Sequence, residues 1–181
     1  MPDCRLSCES CKTVELLPLE DPEFLELLSE GAVRAPCAAC GGTTRWKIAL
    51  PPRSETLETP SKRRRRLLLI DDDPGTLRIL QIMLRPEQYH VVTADSANQA
   101  VERLQNEDYD VIVSDIRMPG FDGRSLYRFL AVFLPEYIGK VVFLTGDHSE
   151  ETLRFLRESN CPYTFKPIQI KELQDRIQEI G

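Results

Sequence analysis

The side chains Asp71, Asp72, Asp115, Thr145 and Lys166 have the chemistry needed to handle a phosphoryl group. Asp71 and Asp72 follow the run Leu67-Leu68-Leu69-Ile70, and Asp115 follows Val111-Ile112-Val113-Ser114. Thr145 and Lys166 each close a further short apolar run. Carboxylates brought together repel one another unless a cation joins them. An all-oxygen donor set selects a hard ion such as Mg²⁺, which keeps several waters and serves phosphate chemistry. A lysine ammonium and a threonine hydroxyl could hold the other phosphoryl oxygens. The chemistry implied is attack by the Asp115 carboxylate on a phosphoryl group, forming an aspartyl phosphate.

A second constellation lies near the N-terminus. Five of the six cysteines, Cys4, Cys8, Cys11, Cys37 and Cys40, fall within the first forty residues, and Cys161 stands apart. Cys8-Glu9-Ser10-Cys11 and Cys37-Ala38-Ala39-Cys40 can each form a knuckle presenting two thiolates to one tetrahedral Zn²⁺. Gly41 and Gly42 supply permissive backbone after the second pair. The arrangement resembles a zinc ribbon with a helix between its knuckles. Cys4 could replace Cys8, but its spacing to Cys11 is poorer, and it reads as a spare thiol. Iron in place of zinc and redox pairing of the thiols stay open. Cys161 reads as a small buried residue.

Elements able to position these groups can be read from the apolar pattern. Strands are expected at Leu67 to Ile70, His90 to Ala94, Val111 to Ser114, Lys140 to Leu144 and Pro162 to Phe165. Helices are expected at Pro74 to Leu84, Ser96 to Gln105, Arg124 to Phe133, Ser149 to Glu158 and Gln169 to Ile180. Asp122-Gly123 can turn the chain and cap the third helix. Strict β-α alternation with unbroken apolar strands implies an α/β fold, a doubly wound five-stranded parallel sheet covered on both faces. Its strand ends would gather Asp71, Asp72, Asp115, Thr145 and Lys166 on one edge.

Residues 1–50 read as the ribbon, residues 51–65 as a linker ending in the basic run Lys62 to Arg66, and residues 66–181 as the α/β unit. Within the ribbon, Asp21-Pro22 starts a helix closed by Gly31, and Thr43 to Ala49 reads as a strand. The basic run reads as a solvated linker end, with contact to phosphate, lipid or an acidic partner as the alternative. The net charge of -6 gives no general attraction to nucleic acid. Residues 1–60 hold ten acidic and six basic side chains, which opposes nucleic-acid binding there. No apolar run reaches the length of a membrane span, no signal-peptide core is present, and a cytoplasmic location is expected.

From residue 66 onward the sequence resembles the receiver domain of two-component response regulators. The matching pieces are Leu-Leu-Leu-Ile-Asp71-Asp72-Asp73-Pro74, Asp115-Ile-Arg-Met-Pro119-Gly, Asp122-Gly123, Leu144-Thr145-Gly146 and Lys166-Pro167, in that order. The resemblance implies a flavodoxin-like fold and makes Asp115 the phosphoacceptor. It implies Mg²⁺ held by Asp71, Asp72, Asp115 and the Arg117 main-chain carbonyl, with Asp72 the main direct ligand of the acidic pair. Thr145 would turn towards the phosphoryl group, Lys166 would pair with it across a cis Lys166-Pro167 bond, and Tyr163 would rotate inward as the switch. Arg117 and Asp147 would flank the path of the attacking water and gate hydrolysis.

The partners implied are a histidine kinase or histidine phosphotransfer protein as donor, and a downstream protein met through the fourth helix, fifth strand and fifth helix or through the ribbon. A phosphorylation-dependent dimer is a further implied state. No helix-turn-helix output is expected, and slow autodephosphorylation is the only turnover. Two alternatives stand: a transcriptional regulator using the ribbon and basic run on nucleic acid, and a docking protein indifferent to phosphorylation. Aspartyl-phosphate phosphatases carry a second Asp two residues after the nucleophile, where this chain has Arg117.

Overall fold

The computed structural model describes residues 3–18, 34–48, 64–84 and 88–180. The expected helix from Asp21 to Gly31 and the linker before residue 64 lie outside the described residues.

The N-terminal unit is an antiparallel sheet of four strands, β1 (Asp3–Cys8), β2 (Val14–Pro18), β3 (Arg34–Pro36) and β4 (Thr43–Ile48), in the order β2-β1-β4-β3. Only β4 was expected. Its alternation is plain: Thr44 and Trp46 are buried while Thr43, Arg45 and Lys47 are exposed, as a half-buried strand requires. The knuckle Cys8 to Cys11 joins β1 towards β2, and the knuckle Cys37 to Cys40 joins β3 to β4.

The second unit is the expected parallel sheet. Its strands are β5 (Arg65–Ile70), β6 (Tyr89–Ala94), β7 (Val111–Asp115), β8 (Val141–Thr145) and β9 (Tyr163–Phe165), ordered β6-β5-β7-β8-β9. The helices are α1 (Pro74–Met83), α2 (Ala97–Asn106), α3 (Gly123–Phe133), α4 (Glu150–Ser159) and α5 (Ile170–Glu179). A 3-10 helix, Pro135–Lys140, precedes β8 and was not anticipated. Side chains alternate between two apolar layers. Leu67, Leu69, Val111, Val113, Val142 and Leu144 meet Leu77, Leu80, Leu173 and Ile177 from α1 and α5. Leu68, Ile70, Ile112 and Phe143 meet Val101, Leu104, Phe129, Leu130 and Leu156 from α2, α3 and α4. Leu6, Cys8, Cys37 and Trp46 belong to this second cluster, and β1 lies beside α2, so ribbon and parallel sheet share one core.

Helix starts follow the sequence closely. Asp73, Ser96, Asp122 and Ser149 each accept a first-turn backbone N–H with their side chains, satisfying donors that a helix leaves open.

The end of the basic run is part of the sheet and not of a solvated linker. Its last two residues begin β5, and both are engaged. Arg65 donates to the carbonyls of Ile180 at 2.6 Å and Ile177 at 3.4 Å, closing the C-terminus of α5. Arg66 pairs with Glu107 and lies 5.3 Å from the centre of the Tyr109 ring.

Candidate phosphoacceptor site and cysteine cluster

Strand order reverses between β5 and β7, the crevice where open α/β sheets bind ligands. Asp71 follows β5, and Asp115 is the last residue of β7. Asp71 is wholly buried, Asp115 nearly so, and Asp72 is exposed at the mouth. Carboxylate oxygens of all three lie within 4.8 Å of one another.

Lys166 bridges this cluster. Its Nζ donates to Asp71 Oδ2 at 2.8 Å and to Asp115 Oδ2. Burial lowers the lysine's pKa, but the Asp115 and Asp71 carboxylates outweigh it and raise it above the ordinary value. Burial raises the Asp115 pKa against the pull of Lys166 and of the Arg117 N–H. That N–H reaches Asp115 Oδ1 at 3.1 Å, and the Asp73 N–H reaches Asp71 Oδ1 at 2.9 Å. The two buried carboxylates are thereby oriented by backbone. The Lys166-Pro167 bond is cis, as the resemblance implied.

Gly123 lets α3 start hard against the acceptor. Its N–H donates to the Ile116 carbonyl at 3.0 Å, and a Cβ there would stand 2.2 Å from the Asp115 carbonyl oxygen.

Thr145 is buried at the end of β8, with its hydroxyl occupied locally. It accepts the Asp147 N–H at 3.0 Å and donates to the Asp147 carbonyl at 3.4 Å. The expected Arg117–Asp147 pair is formed: Nε and Nη2 of Arg117 reach Asp147 Oδ2 at 2.9 and 2.6 Å. Thr152 and Ser149 also donate to that carboxylate. Together with the Arg117 guanidinium they hold it far below the usual carboxylate range. The anchoring by Thr152 was not read from the sequence, although the Ser149-x-x-Thr152 spacing places both residues in one helical turn.

Tyr163 is half-buried and meets Phe165 edge-on, with ring centres 5.5 Å apart. Phe165 in turn stacks on His148 at 4.3 Å. The sequence singled out Tyr163 but gave no sign of this aromatic row.

The four expected cysteines converge, their Sγ atoms all within 4.8 Å of one another. Cys8 and Cys40 sulfurs are 3.9 Å apart, and those of Cys11 and Cys37 are 3.6 Å apart. A tetrahedral site with Zn–S bonds of about 2.3 Å has S···S edges of about 3.8 Å, so the donor set fits a Cys₄ metal. Burial opposes ionisation of Cys8, but the N–H groups of Cys11 and Ser10 bring its pKa down to about 6. The Cys40 N–H favours a Cys37 thiolate, but burial and the neighbouring thiols push it up to about 11. Four thiolates cannot coexist here without a cation. Cys4 lies on β1 opposite Leu17.

A doubly wound parallel sheet with three carboxylates and a lysine meeting at its switch point defines a CheY-like receiver. The chain belongs to the response regulator receiver domain family, whose pattern matches residues 67–178. Curated relatives include the two-component response regulator ARR10 of Arabidopsis thaliana, 35% identical over 61% of this chain and 20% of the relative. Another is ORR22 of Oryza sativa, 30% identical over 61% of this chain and 16% of the relative. The chain thus spans about a fifth of the length of these relatives. Among solved structures, the receiver domain of the Francisella response regulator 1452 is similar, with 27% identity and a TM-score of 0.57, covering 65% of this chain and 96% of that one. The chemotaxis protein CheY4 of Vibrio cholerae shares the fold at 22% identity, with a TM-score of 0.59 over 66% of this chain and 100% of that one. Among the described residues no helix is long and apolar enough to cross a membrane.

Proposed function

We propose that this protein is a phosphorylation-controlled switch. A phosphohistidine on a kinase or phosphotransfer protein donates a phosphoryl group to Asp115, and the modified protein then changes its protein partners. The observation that carries this reading is the convergence of Asp71, Asp72 and Lys166 on a buried Asp115 at a strand end.

In this reading Asp115 Oδ attacks phosphorus as the bond to the donor nitrogen breaks, and the imidazole leaves with the electron pair, made neutral by a proton taken up on the ring from solvent. Asp71, Asp72, Asp115 and the Arg117 carbonyl would hold Mg²⁺, which when bound supplies positive charge for the phosphoryl oxygens. Lys166 already faces Asp115 and needs only a small shift to pair with a phosphoryl oxygen. Thr145 leaves its bond with the Asp147 N–H to meet another oxygen, and Tyr163 follows inward. The α4–β9–α5 face carries the change outward to a protein partner or a second copy. Arg117 and Asp147 restrain the water that would hydrolyse the product.

The ribbon holds Zn²⁺ through Cys8, Cys11, Cys37 and Cys40, and the cytoplasm keeps those thiols reduced. Cobalt substitution tests the metal: a tetrathiolate charge-transfer spectrum lost in Cys37→Ser is expected.

Intact mass after treatment with acetyl phosphate tests the switch. One phosphoryl adduct that requires both Mg²⁺ and Asp115 is expected, and an equal adduct on Asp115→Ala would refute the assignment. A docking protein indifferent to phosphorylation would instead capture its partners equally with Asp115→Ala.

One observation favours a second reading, in which the ribbon contacts nucleic acid. Lys12, Arg34, Arg45 and Lys47 are all exposed, and Arg34 lies directly opposite Arg45 across β3 and β4. Like charges so placed disfavour each other unless an anion joins them. Glu9 lies among them, its pKa lowered by its bond with Lys47 first and then by Arg45 and Lys12. Salt-dependent binding of duplex DNA by the full chain, lost in the double substitution Arg34→Glu and Arg45→Glu, would establish it.

A further inference from the structure

We infer that Thr152, on α4 and outside every sequence motif, is a positioning residue that sets the lifetime of the phosphoryl group on Asp115. The inference rests on the reading of Asp115 as phosphoacceptor and of Arg117–Asp147 as the gate over it.

Thr152 is wholly buried, and its hydroxyl donates to Asp147 Oδ2 at 2.6 Å. That oxygen also receives Arg117 Nε at 2.9 Å, Arg117 Nη2 at 2.6 Å and Ser149 Oγ at 2.9 Å. The Ser149 N–H takes the other carboxylate oxygen at 2.9 Å. Ser149 Oγ in turn accepts the Thr152 N–H at 3.3 Å. Thr152 therefore supports Asp147 twice, once directly and once through Ser149.

This matters because the Arg117 side chain is 56% exposed and that of Asp147 only 17%. An arginine so open to water gains little from an unsupported ion pair. Here its partner is fixed to the first turn of α4 by hydroxyl and backbone donors, with the positive end of the helix beside the carboxylate. The guanidinium is therefore held in one place, although it is itself near solvent.

That place is the approach to Asp115. Arg117 sits on the loop after β7 with its N–H on Asp115, and Asp147 sits on the loop after β8 with its N–H on Thr145. The ion pair ties together the two loops that rise from acceptor and threonine. Hydrolysis needs a water in line with the breaking bond. Water oxygen attacks phosphorus from the side away from Asp115, the bond from phosphorus to the Asp115 oxygen breaks, and the carboxylate leaves with its electron pair. The water's oxygen and hydrogens go with the phosphate, one proton passing to solvent. The attacking water enters between the two tied loops, so a looser tie admits it more often.

The test compares Thr152→Val, which keeps the branched shape and removes the hydroxyl, with Thr152→Ser, which keeps the hydroxyl. The decay of the adduct formed with acetyl phosphate and Mg²⁺ is followed by intact mass. Thr152→Val is expected to shorten the half-life by about three- to tenfold, less than the full worth of one hydrogen bond to a charged group because Ser149 and Arg117 still hold Asp147. Thr152→Ser should restore most of it. Asp147→Ala should shorten the half-life at least as much, and adding Thr152→Val to Asp147→Ala should change nothing further. In the unphosphorylated protein, the Arg117 Nε–H resonance should broaden in Thr152→Val as it does in Asp147→Ala. Thr152→Val with a wild-type half-life while Asp147→Ala shortens it would overturn the inference and leave the gate standing. A wild-type half-life for Asp147→Ala would remove the gate and this inference together. A wild-type protein that takes no phosphoryl group would remove the acceptor reading and both that depend on it.

Discussion

Lys12 and Gly41 hold the same left-handed backbone, at φ 64° and 68°, each one residue past the second cysteine of its knuckle. Each donates its N–H to the carbonyl of the first cysteine, Lys12 to Cys8 at 2.9 Å and Gly41 to Cys37 at 2.8 Å. The two halves of the cysteine cluster are thus built to one plan. Glycine adopts this conformation freely, whereas a lysine is strained in it by about 1–2 kcal/mol. Lys12→Gly is expected to be tolerated within about 0.5 kcal/mol, since relief of strain offsets the greater freedom of glycine when unfolded. Lys12→Val should weaken the ribbon, because a β-branched residue is a genuine outlier at positive φ. Chelator titration followed by emission of Trp46, the chain's one tryptophan and buried in the ribbon, reads both variants. Equal chelator resistance for Lys12→Val and the wild type would refute the argument.

Gly123 makes the second backbone demand. With a Cβ placed 2.2 Å from the Asp115 carbonyl and 3.0 Å from Ile116 Cα, no rotamer change relieves the clash, because both neighbours are main chain. Gly123→Ala must shift α3 or the acceptor loop. A loss of about 1–3 kcal/mol in chemical denaturation is expected from such overpacking, along with slower labelling by acetyl phosphate. The control Gly139→Ala, where a Cβ would meet nothing within 4 Å, should leave labelling unchanged.

Much of this architecture was legible because local signals agreed. The apolar runs of β5, β7 and β8 are buried on both faces, and the caps Asp73, Ser96, Asp122 and Ser149 stand where their helices begin. Asp71, Asp115 and Lys166 could be assigned to one site because a parallel sheet places strand ends on one edge. The ribbon strands β1 and β2 were not legible: Asp3 to Cys8 does alternate polar with apolar, but two of its three apolar positions are cysteines, which read as thiol chemistry and not as strand, and Val14 to Pro18 carries no alternation. Arg65 and Arg66 read as part of a charge run, because charge can be counted in a sequence but the carbonyls and the carboxylate that meet these two cannot. Thr152 and the Phe165–His148 stack stayed hidden for the same reason: each is a side-chain meeting between elements.

The Asp147 network also fixes an acid dependence. A carboxyl whose folded pKa is depressed stabilises the protein above its unfolded pKa and loses that contribution as pH falls through the folded value. Asp147 is depressed by Thr152, Ser149 and Arg117. Its contribution is therefore complete at pH 7 and fades from about pH 5 downward. The stability advantage of the wild type over Asp147→Asn should shrink steadily between pH 5 and pH 2 on this scale. Urea unfolding of both proteins across that interval measures it, and a gap independent of pH would show that Asp147 acts through shape and not charge.

Lys166 makes the most demanding electrostatic contribution, because it is the cation that Asp71 and Asp115 both touch. Removing one partner from a buried charge group leaves the others uncompensated, at a typical cost of about 3–5 kcal/mol. Lys166→Met should therefore destabilise the metal-free protein by an amount near that range. The same change removes a competitor for the carboxylates, so Mg²⁺ should stabilise Lys166→Met more than it stabilises the wild type, through its preference for the folded state. Thermal unfolding with EDTA and with saturating Mg²⁺ compares the two shifts. A larger shift in the variant means that lysine and metal answer the same pair of carboxylates. Equal shifts would mean that Mg²⁺ binds without displacing Lys166 from Asp115, and Lys166 would then be a permanent part of the acceptor's own charge balance.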